Sequence, residues 1–196
     1  MSFIENRHTG NKKRIRTWVF DTKTLVKKEV AEYFYSVPGR LGPGLYAELG
    51  CFYGGTAMCV AQGIVDSKVD AKVITVDRFN GYLLRPEYEG TFSIDTVRAT
   101  FEKNNLSHII TPVQGDTAET ASLYQDQVFN FLFIDADHSY AGCKADFEAW
   151  SPLVRSGGEI AFHDNDLKGV YHVLNEISWE KRVIDKLTIC TKPEEV

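Results

Sequence analysis

Short apolar runs alternate with longer amphipathic stretches through most of this chain. Runs such as Phe-Leu-Phe-Ile at residues 131–134 are typical of strands that are buried on both faces of a parallel sheet. We therefore predict a doubly wound, mostly parallel α/β sheet, with right-handed crossovers that place helices on both of its faces. The predicted strands are residues 45–50, 72–77, 109–114, 128–135 and 159–163, and the predicted helices are residues 56–64, 94–104, 118–124, 142–153 and 170–177.

The two ends of the chain add to this alternation. Residues 181–192 hold enough apolar side chains for one edge strand, or for two short ones. Before the first predicted strand, Asp21 can cap a helix that ends before the proline and glycines of residues 38–44. We predict a single globular domain at residues 45–196, preceded by an arm and a helix at residues 1–44.

Composition and charge restrict the function classes. The chain has 196 residues, 43% of them hydrophobic and 25% charged, which is enough to bury a core. Its net charge is -5, but residues 1–28 are basic, and the acidic remainder argues against a general affinity for nucleic acid or anionic membranes. We interpret the basic arm as a solvated tail; contact with an anionic partner or with a neighbouring copy of the chain is the alternative, which leaves a homo-oligomer open.

The cysteines and the N-terminus predict a cellular location. Cys51, Cys59, Cys143 and Cys190 lie within apolar or helical patterns and have no Cys-x-x-Cys spacing. This pattern predicts reduced, partly buried thiols rather than a zinc site or a disulfide framework. The N-terminus lacks the apolar core of a signal peptide, and no run approaches the ~20 apolar residues of a membrane span. We therefore expect a cytoplasmic protein without a membrane segment.

Acidic groups and a histidine follow two of the apolar runs. Asp135, Asp137 and His138 come directly after the run at residues 131–134, and Asp164 follows the next predicted strand. Because ligands of open α/β sheets bind beyond the carboxyl ends of the strands, these side chains are expected to share one crevice. Carboxylate oxygens and an imidazole suit divalent-metal binding beside proton transfer. For each residue alone, a turn or helix-cap role is an equally good interpretation.

A glycine-rich turn joins the first predicted strand to the first predicted helix. Gly50 and Gly54 let the backbone approach a ligand, and the helix N-terminus offers free N–H groups. The spacing is neither GxGxxG nor that of a P-loop, which argues against dinucleotides and nucleoside triphosphates. Glu48 would repel a pyrophosphate but attract a cation, such as the ammonium group of an amino acid.

Further carboxylates end the second and third predicted strands. Asp77 is placed to accept hydrogen bonds from a ribose diol, and Gly115 with Asp116 is placed to hold an adenine amino group. Each acid alone is explained as well by an exposed strand end. Three acids in register along successive strands favour a nucleotide-like cofactor.

Together these motifs resemble a class I S-adenosylmethionine-dependent methyltransferase, in particular the branch of small bacterial enzymes that act in sugar and natural-product pathways. The features that carry the resemblance, over roughly residues 45–177, are Glu48, Gly50, Gly54, Asp77, Asp116, residues 133–140, Asp146, Trp150 and residues 157–158 and 162–164. The resemblance implies S-adenosylmethionine as the cofactor. The cofactor-binding residues that it implies are Glu48, Gly50, Tyr53, Gly54, Thr56, Asp77, Gly115, Asp116 and Asp135.

The chain also resembles metal-dependent O-methyltransferases of the catechol and caffeoyl-CoA type. That resemblance implies Asp135, Asp164 and Asn165 as ligands of Mg²⁺ or a similar divalent ion. In the sugar-pathway branch an acidic residue would stand at His163, so His163 is the alternative third ligand, and a metal-free site is left open. His138 is predicted to be the general base, and a histidine that bonds a loop carbonyl is the alternative.

The resulting prediction is methyl transfer to a hydroxyl of a small polar acceptor, which the resemblance implies to be a sugar or a natural product. The alternatives are a protein that binds S-adenosylmethionine without turnover and a nucleic-acid methyltransferase that uses the basic arm. Residues 79–93 are rich in aromatics and lack a helical or strand period. They are expected to form a lid, with Tyr82 and Tyr88 against the acceptor; a plain surface loop is the alternative.

Overall fold

In a computed structural model of the protein, the described residues are 3–6, 13–16, 26–80 and 93–194. Two short strands near the N-terminus, β1 (Phe3–Asn6) and β2 (Lys13–Arg16), pair in antiparallel fashion. The other strands form one seven-stranded sheet. They are β3 (Gly44–Leu49), β4 (Ala71–Asp77), β5 (Ile110–Gln114), β6 (Phe129–Ile134), β7 (Val154–Phe162), β8 (Glu180–Ile184) and β9 (Leu187–Thr191).

The large sheet runs in the order β5, β4, β3, β6, β7, β9, β8. Neighbours from β5 to β7 are parallel, whereas β9 is antiparallel to both β7 and β8. The chain moves outward from β3 to β5 and then returns with β6 to the other side of β3. This reversal is a topological switch point, where open α/β sheets bind ligands outside the carboxyl ends of their strands. The predicted doubly wound sheet is confirmed.

Helices cover both faces of the sheet. Because side chains alternate along a strand, β6 sends Phe131 and Phe133 to one face and Leu132 and Ile134 to the other. Helices α1, α2 and α3 pack on the first face, and α5 and α6 pack on the second. The helices are α1 (Lys28–Leu41), α2 (Gly55–Ser67), α3 (Ile94–Lys103), α4 (Thr117–Thr120), α5 (Tyr140–Trp150) and α6 (Lys168–Glu176).

Helix α1 continues past the point where the sequence predicts its end, so that prediction is wrong. Pro38 lies inside the helix. The helix packs so closely on α2 that a Cβ atom at Gly63 would lie 2.1 Å from the carbonyl oxygen of Tyr35. This packing stabilises a helical last turn and outweighs the loss of the one backbone hydrogen bond that a proline cannot donate. Asp21, the predicted cap, lies outside the described residues.

An ion cluster around the buried carboxylate of Glu159 ties α1 to the sheet. Both carboxylate oxygens of Glu159 accept hydrogen bonds of 2.8 Å from Arg40, and Glu159 also accepts bonds from Arg182 at 2.9 Å and from the hydroxyl of Tyr33 at 2.9 Å. The two guanidinium groups lie over the ring of Tyr33, at 5.4 and 5.0 Å from its centroid. Burial alone would raise the pKa of Glu159, but the hydrogen bonds from Arg40 hold it below its usual value.

Other boundaries differ in detail from the predictions. Strand β7 begins at Val154, five residues before the predicted start, because it pairs with β6 from Phe129 onward across a shift of register. The predicted helix at residues 118–124 is α4 followed by a 3-10 helix, Ala121–Tyr124. Residues 181–192 form the β8–β9 hairpin, which is the two-strand form of that prediction.

Three further predictions concern the cysteines, the membrane and the lid. All four cysteine thiols are free and buried. Among the described helices, none is long and apolar enough to cross a membrane. Tyr82 and Tyr88 of the predicted lid lie outside the described residues.

Candidate functional site

The turn after β3 brings two strands into backbone contact at the topological switch point. Gly50 has a φ of +91°, and a Cβ atom there would lie 2.1 Å from the carbonyl oxygen of Asp135, just beyond β6. Gly54 has a φ of +80° at the start of α2, and a Cβ atom there would lie 2.4 Å from the ring of Phe101. Only glycine satisfies both the positive φ and the close approach at these positions. The predicted glycine turn is therefore a tight passage into the N-terminus of α2, where the N–H group of Ala57 donates to Glu48.

Asp77, at the end of β4, ties this turn to the neighbouring loop. Its Oδ2 accepts the N–H groups of Cys51 at 2.8 Å and Phe52 at 3.1 Å, and its Oδ1 accepts that of Phe79 at 2.8 Å. Phe52 and Phe79 have positive φ angles of 51° and 53°, which cost a residue with a side chain roughly 1–2 kcal/mol each. A carboxylate has about four acceptor positions, so these bonds leave about one for a ribose hydroxyl.

Asp116, after β5, uses both of its carboxylate oxygens within the protein. Its Oδ1 caps α4 by accepting the N–H groups of Ala118 and Glu119, each at 3.1 Å. Its Oδ2 accepts a hydrogen bond from Arg78 at 2.6 Å, and this bond holds the pKa of Asp116 below its usual value. Gly115 donates its N–H to the carbonyl oxygen of Asp77 at 3.0 Å, which joins the predicted adenine and ribose positions.

Glu48 lies beneath the glycine turn. It is 3% exposed, and its Oε2 accepts a hydrogen bond from the hydroxyl of Thr75. Burial raises the pKa of Glu48 well above its ordinary value. Thr56, in the first turn of α2, is 9% exposed, and the ring of Tyr53 packs against that of Phe52 at 4.5 Å. The contact of Glu48 with a cofactor ammonium group stays a prediction.

Two histidines and two aspartates converge beyond β6 and β7, and we call these four side chains the histidine–aspartate cluster. The Nε2 of His138 lies 3.1 Å from Asp135 Oδ1 and 3.5 Å from Asp164 Oδ2. The Nδ1 of His163 lies 3.5 Å from Asp135 Oδ1 and 3.5 Å from Asp164 Oδ1. Asp135 is therefore shared by both imidazoles, and its carbonyl group meets the glycine turn at Gly50.

The cluster shifts the protonation of its members. Burial would lower the pKa of His163, which is 8% exposed, but hydrogen bonds to Asp135 and Asp164 raise it to about 10. The hydrogen bond to Asp135 likewise raises the pKa of His138. The hydrogen bond to His163 lowers the pKa of Asp164. Each shift has the sign expected for an imidazolium beside a carboxylate.

The donor atoms of the cluster also fit a divalent cation. Ligand atoms of Asp135, His138 and Asp164 lie within 4.8 Å of one another. For bonds of about 2.1 Å, neighbouring ligand atoms are separated by about 3.0 Å in an octahedron and about 3.4 Å in a tetrahedron. The histidine–carboxylate distances of 3.1 to 3.5 Å agree with this spacing. The predicted ligands Asp135 and Asp164 are thus brought together.

Asn165 and Asp137 make local contacts. The side-chain Nδ2 of Asn165 donates to Thr188 Oγ1 at 3.1 Å and to the carbonyl oxygen of Asp185 at 3.4 Å, which fixes the amide against the β8–β9 hairpin. Its role as a metal ligand stays a prediction. Asp137 accepts the N–H of Ser139 at 2.8 Å, just before α5, as the turn interpretation expects.

Two neighbours of the cluster have no motif that could reveal them. A Cβ atom at Gly169, in the first turn of α6, would lie 2.2 Å from the carbonyl oxygen of His138. Gly169 therefore lets α6 support the loop that carries His138. Lys186, in the β8–β9 turn, places its Nζ 3.9 Å from Asp164 Oδ1 and 2.9 Å from Asp166. A glycine directly before the predicted helix at residues 170–177 is the only sequence signal for either contact.

Asp146 on α5 is a buried acid that the sequence analysis included only through the resemblance. It is 1% exposed, and its Oδ2 has no hydrogen-bond partner among the residues that the structure describes. Burial raises the pKa of Asp146 to about 7; the negative charges of Asp116 and Asp137 add to the rise, and a hydrogen bond from Thr117 opposes it. The acid therefore lies next to the loop predicted for the adenine.

Comparison with solved structures supports the fold. The O-methyltransferase NovP is 18% identical, with a TM-score of 0.66 over 84% of this chain and 78% of that chain. CalS11, a TDP-rhamnose 3'-O-methyltransferase, is 18% identical, with a TM-score of 0.62 over 82% and 76%. An O-methyltransferase from Bacillus cereus in complex with SAH is 17% identical, with a TM-score of 0.62 over 85% and 82%. At these identities the likeness shows a shared fold.

Comparison of sequences adds a relative and a family. The uncharacterized protein y4gI of Sinorhizobium fredii is 25% identical over 129 residues, which are 65% of this chain but only 14% of that protein's length. The family described as "Methyltransferase domain" matches residues 47–165. The matched segment runs from β3, across the glycine turn, to the loop after β7 that carries Asp164 and Asn165. It spans more than half of the chain, which therefore belongs to the methyltransferase domain family.

Proposed function

We propose that this chain is an S-adenosylmethionine-dependent O-methyltransferase that acts on a hydroxyl group of a small polar acceptor. The observation that carries the proposal is the contact of the histidine–aspartate cluster with the glycine turn, through the carbonyl group of Asp135 and Gly50. Methyl transfer is an in-line displacement, so the protein must align the acceptor with the methyl group and take up the hydroxyl proton. A base and a cation site beside a cofactor turn meet both needs.

The proposed cofactor site lies across the carboxyl ends of β3, β4 and β5. The turn from Gly50 to Gly54 approaches the methionine part, and Asp77 offers its remaining acceptor position to a ribose hydroxyl. Gly115 and Asp116 flank the adenine. Burial of Glu48 under the turn supports a role in holding the turn in addition to the predicted contact with the ammonium group.

His138 is the proposed general base. Its side chain is 35% exposed, against 9% for His163, so an acceptor reaches it more easily. The acceptor oxygen attacks the methyl carbon while the carbon–sulfur bond breaks, and its electron pair stays on the sulfur of S-adenosylhomocysteine. The hydroxyl proton passes to Nδ1 of His138, because Nε2 already carries the proton that it donates to Asp135. Asp135 and Asp164 then stabilise the imidazolium, because both carboxylates lie within 3.5 Å of Nε2.

A divalent cation is proposed to assist the transfer. A bound cation lowers the pKa of an acceptor hydroxyl and fixes its position. Asp135 and Asp164 would hold it, with Asn165 or His163 as the third ligand. Donor atoms of Asp135 and Asp164 lie within 4.8 Å of each other and of one in His138, and His163 Nδ1 lies 3.5 Å from both carboxylates, which supports His163 over Asn165 as the third ligand.

A sugar or a sugar-bearing natural product is the proposed acceptor class. Among the structural neighbours, CalS11 is named a TDP-rhamnose 3'-O-methyltransferase, and TomG from Streptomyces achromogenes is an O-methyltransferase involved in tomaymycin synthesis. A polar acceptor also suits the polar wall that the histidine–aspartate cluster offers beside the cofactor turn.

The test is a methyl-transfer assay on the full chain, with labelled S-adenosylmethionine and TDP-rhamnose followed by other TDP-sugars. We expect calorimetry to show binding of S-adenosylhomocysteine in preference to NAD and ATP. Transfer should fall by roughly 10²–10⁴-fold in His138→Gln and stay unchanged in His108→Gln, which alters an exposed histidine before β5.

Different outcomes contradict different parts of the proposal. Tighter binding of NAD than of S-adenosylhomocysteine would refute the cofactor assignment. Transfer to RNA or DNA, but not to sugars, would replace the small acceptor with a nucleic acid. Cofactor binding with no transfer to any acceptor would favour a binding protein without turnover.

A further inference from the structure

The histidine–aspartate cluster combines nitrogen and oxygen donors, and this mixture bears on which ion the site selects. We infer that the cation is a divalent transition-metal ion such as Co²⁺ or Zn²⁺, held by His163 together with Asp135 and Asp164, rather than Mg²⁺. The inference rests on the proposed function in one respect, because it concerns the ion of the same site. It assigns a nitrogen ligand and leaves the proton transfer to His138.

The position of His163 between the two carboxylates is the first argument. Its Nδ1 lies 3.5 Å from one oxygen of Asp135 and 3.5 Å from one oxygen of Asp164. Ligand atoms around a tetrahedral ion with bonds of about 2.1 Å are separated by about 3.4 Å. The distances from His163 to the two carboxylates therefore already match the spacing of ligands around one ion, without movement of the imidazole.

The setting of His163 in the sheet is the second argument. Its backbone N–H donates to the carbonyl oxygen of Ile134 at 3.1 Å, which continues the ladder between β6 and β7. Its ring packs edge-on against Phe133, with centroids 6.3 Å apart, and its side chain is 9% exposed. A ligand held by packing directly after a strand keeps its geometry better than one further out on a loop. His138, on the loop after β6 and 35% exposed, suits an exchange of protons with an acceptor.

The chemistry of the donors is the third argument. Mg²⁺ prefers oxygen ligands in an octahedron and keeps several of its waters, whereas an imidazole nitrogen suits Zn²⁺ and neighbouring transition ions. Two carboxylates balance the charge of a divalent ion, which binds the neutral form of His163 and so displaces the proton that this imidazole otherwise holds between them. The donor set therefore favours a transition-metal ion.

The experiment is calorimetric titration of the full chain with Co²⁺, Zn²⁺ and Mg²⁺, each in separate runs. We expect Co²⁺ and Zn²⁺ to bind at least roughly ten-fold more tightly than Mg²⁺. His163→Asp replaces the nitrogen with an oxygen donor and should reduce the ratio of the Co²⁺ and Zn²⁺ affinities to the Mg²⁺ affinity. His138→Gln and the control His108→Gln should leave the ratio unchanged. Electron spin-echo spectroscopy with Mn²⁺ as the probe should detect coupling to an imidazole nitrogen, which His163→Asp removes.

Each outcome decides a part of the inference. Equal affinity for Mg²⁺ and Co²⁺ would overturn the selectivity. If His138→Gln removes the preference for Co²⁺ and Zn²⁺ over Mg²⁺, or removes the nitrogen coupling, while His163→Asp retains both, then His138 is the nitrogen ligand. That result would overturn the assignment to His163. If none of the ions binds, the inference as a whole is overturned. In that case, binding of S-adenosylhomocysteine and methyl transfer in the presence of EDTA would show that the proposed function stands without a cation. The wild-type measurements decide the selectivity even if a variant fails to fold.

Discussion

Asp146→Asn is expected to stabilise the protein at about pH 8 and to have little effect near pH 4. Asp146 is 1% exposed, and one of its oxygens has no hydrogen-bond partner among the described residues. Burial raises its pKa to about 7, with contributions from Asp116 and Asp137 and with Thr117 and Arg78 acting in the opposite direction. The folded protein therefore retains an acid whose charged form it accommodates poorly.

The size of the expected stabilisation follows from the difference between the pKa of Asp146 in the folded state and in the unfolded state. The pKa rises from 3.8 to about 7, and about three units at 1.36 kcal/mol each correspond to about 4 kcal/mol. Because the folded-state value is the higher one, this stabilisation is fully present below about pH 4 and is lost as the pH rises through about 7. Asparagine carries no charge and avoids that loss. Its amide N–H groups need acceptors of their own, so we expect a net gain of about 1–3 kcal/mol at about pH 8.

Urea unfolding at about pH 5 and about pH 8 measures the effect, with m-values checked for constancy. Glu148→Gln is the matched control, because Glu148 lies on the same helix, is exposed and, among the residues that the structure describes, forms an ion pair with Lys144 alone, at 3.9 Å. That variant should change the free energy of unfolding by less than about 0.5 kcal/mol at either pH. A free-energy difference for Asp146→Asn that is the same at both pH values, or a loss of stability at the higher one, would refute the argument from burial.

Further outcomes are expected at other positions. Asp77→Ala should weaken binding of S-adenosylhomocysteine by about 1–3 kcal/mol in calorimetry, and a variant that binds as wild type would contradict its place beside the ribose. Gly50→Ala should cost more than about 2 kcal/mol in urea unfolding, and Gly42→Ala should cost less, because Gly42 has a similar φ of +81° but open space around it. Glu159→Gln should cost about 1–3 kcal/mol in the same assay, since two arginines lose a charged partner; no change would mean that α1 is held by its apolar face alone. Asp164→Ala should abolish the thermal stabilisation by divalent ions and keep the affinity for S-adenosylhomocysteine, whereas an unchanged metal response would remove Asp164 from the site.

The sheet and its helices could be predicted because buried parallel strands leave a strong pattern in the sequence. Each predicted strand and helix after residue 44 is present, since apolar runs and amphipathic stretches alternate through most of that part of the chain. The end of α1 could not be predicted, because the proline rule is local and the packing that overrides it is not. The contact of Gly63 with the carbonyl of Tyr35 joins residues on different helices, and neither residue carries a signal of it.

The sequence predicts that the residues of the site lie at the same edge of the sheet, but it does not predict their contacts. Asp77, Asp116 and Asp135 follow strands whose carboxyl ends meet, and this much follows from the fold class. Their hydrogen-bond partners depend on the turn conformations, which the sequence does not reveal. Asp77 is largely occupied by backbone N–H groups, and Asp116 by a helix cap and Arg78. The carboxylates that look alike in the sequence therefore differ in how much of each is left for a ligand.

Asp135 and Asp164 illustrate this difference, although both are proposed to hold the cation. The carbonyl group of Asp135 meets Gly50, and its carboxylate is shared by His138 and His163, so Asp135 lies both at the glycine turn and at the proposed cation site. A change of the Asp135 side chain keeps that backbone carbonyl but removes the carboxylate between the two imidazoles. Asp164 lies one strand further, beyond β7, and its carboxylate contacts the two histidines and Lys186. Replacement of Asp164 is therefore expected to separate cation binding from cofactor binding more cleanly than replacement of Asp135, whose own backbone packs against the glycine turn.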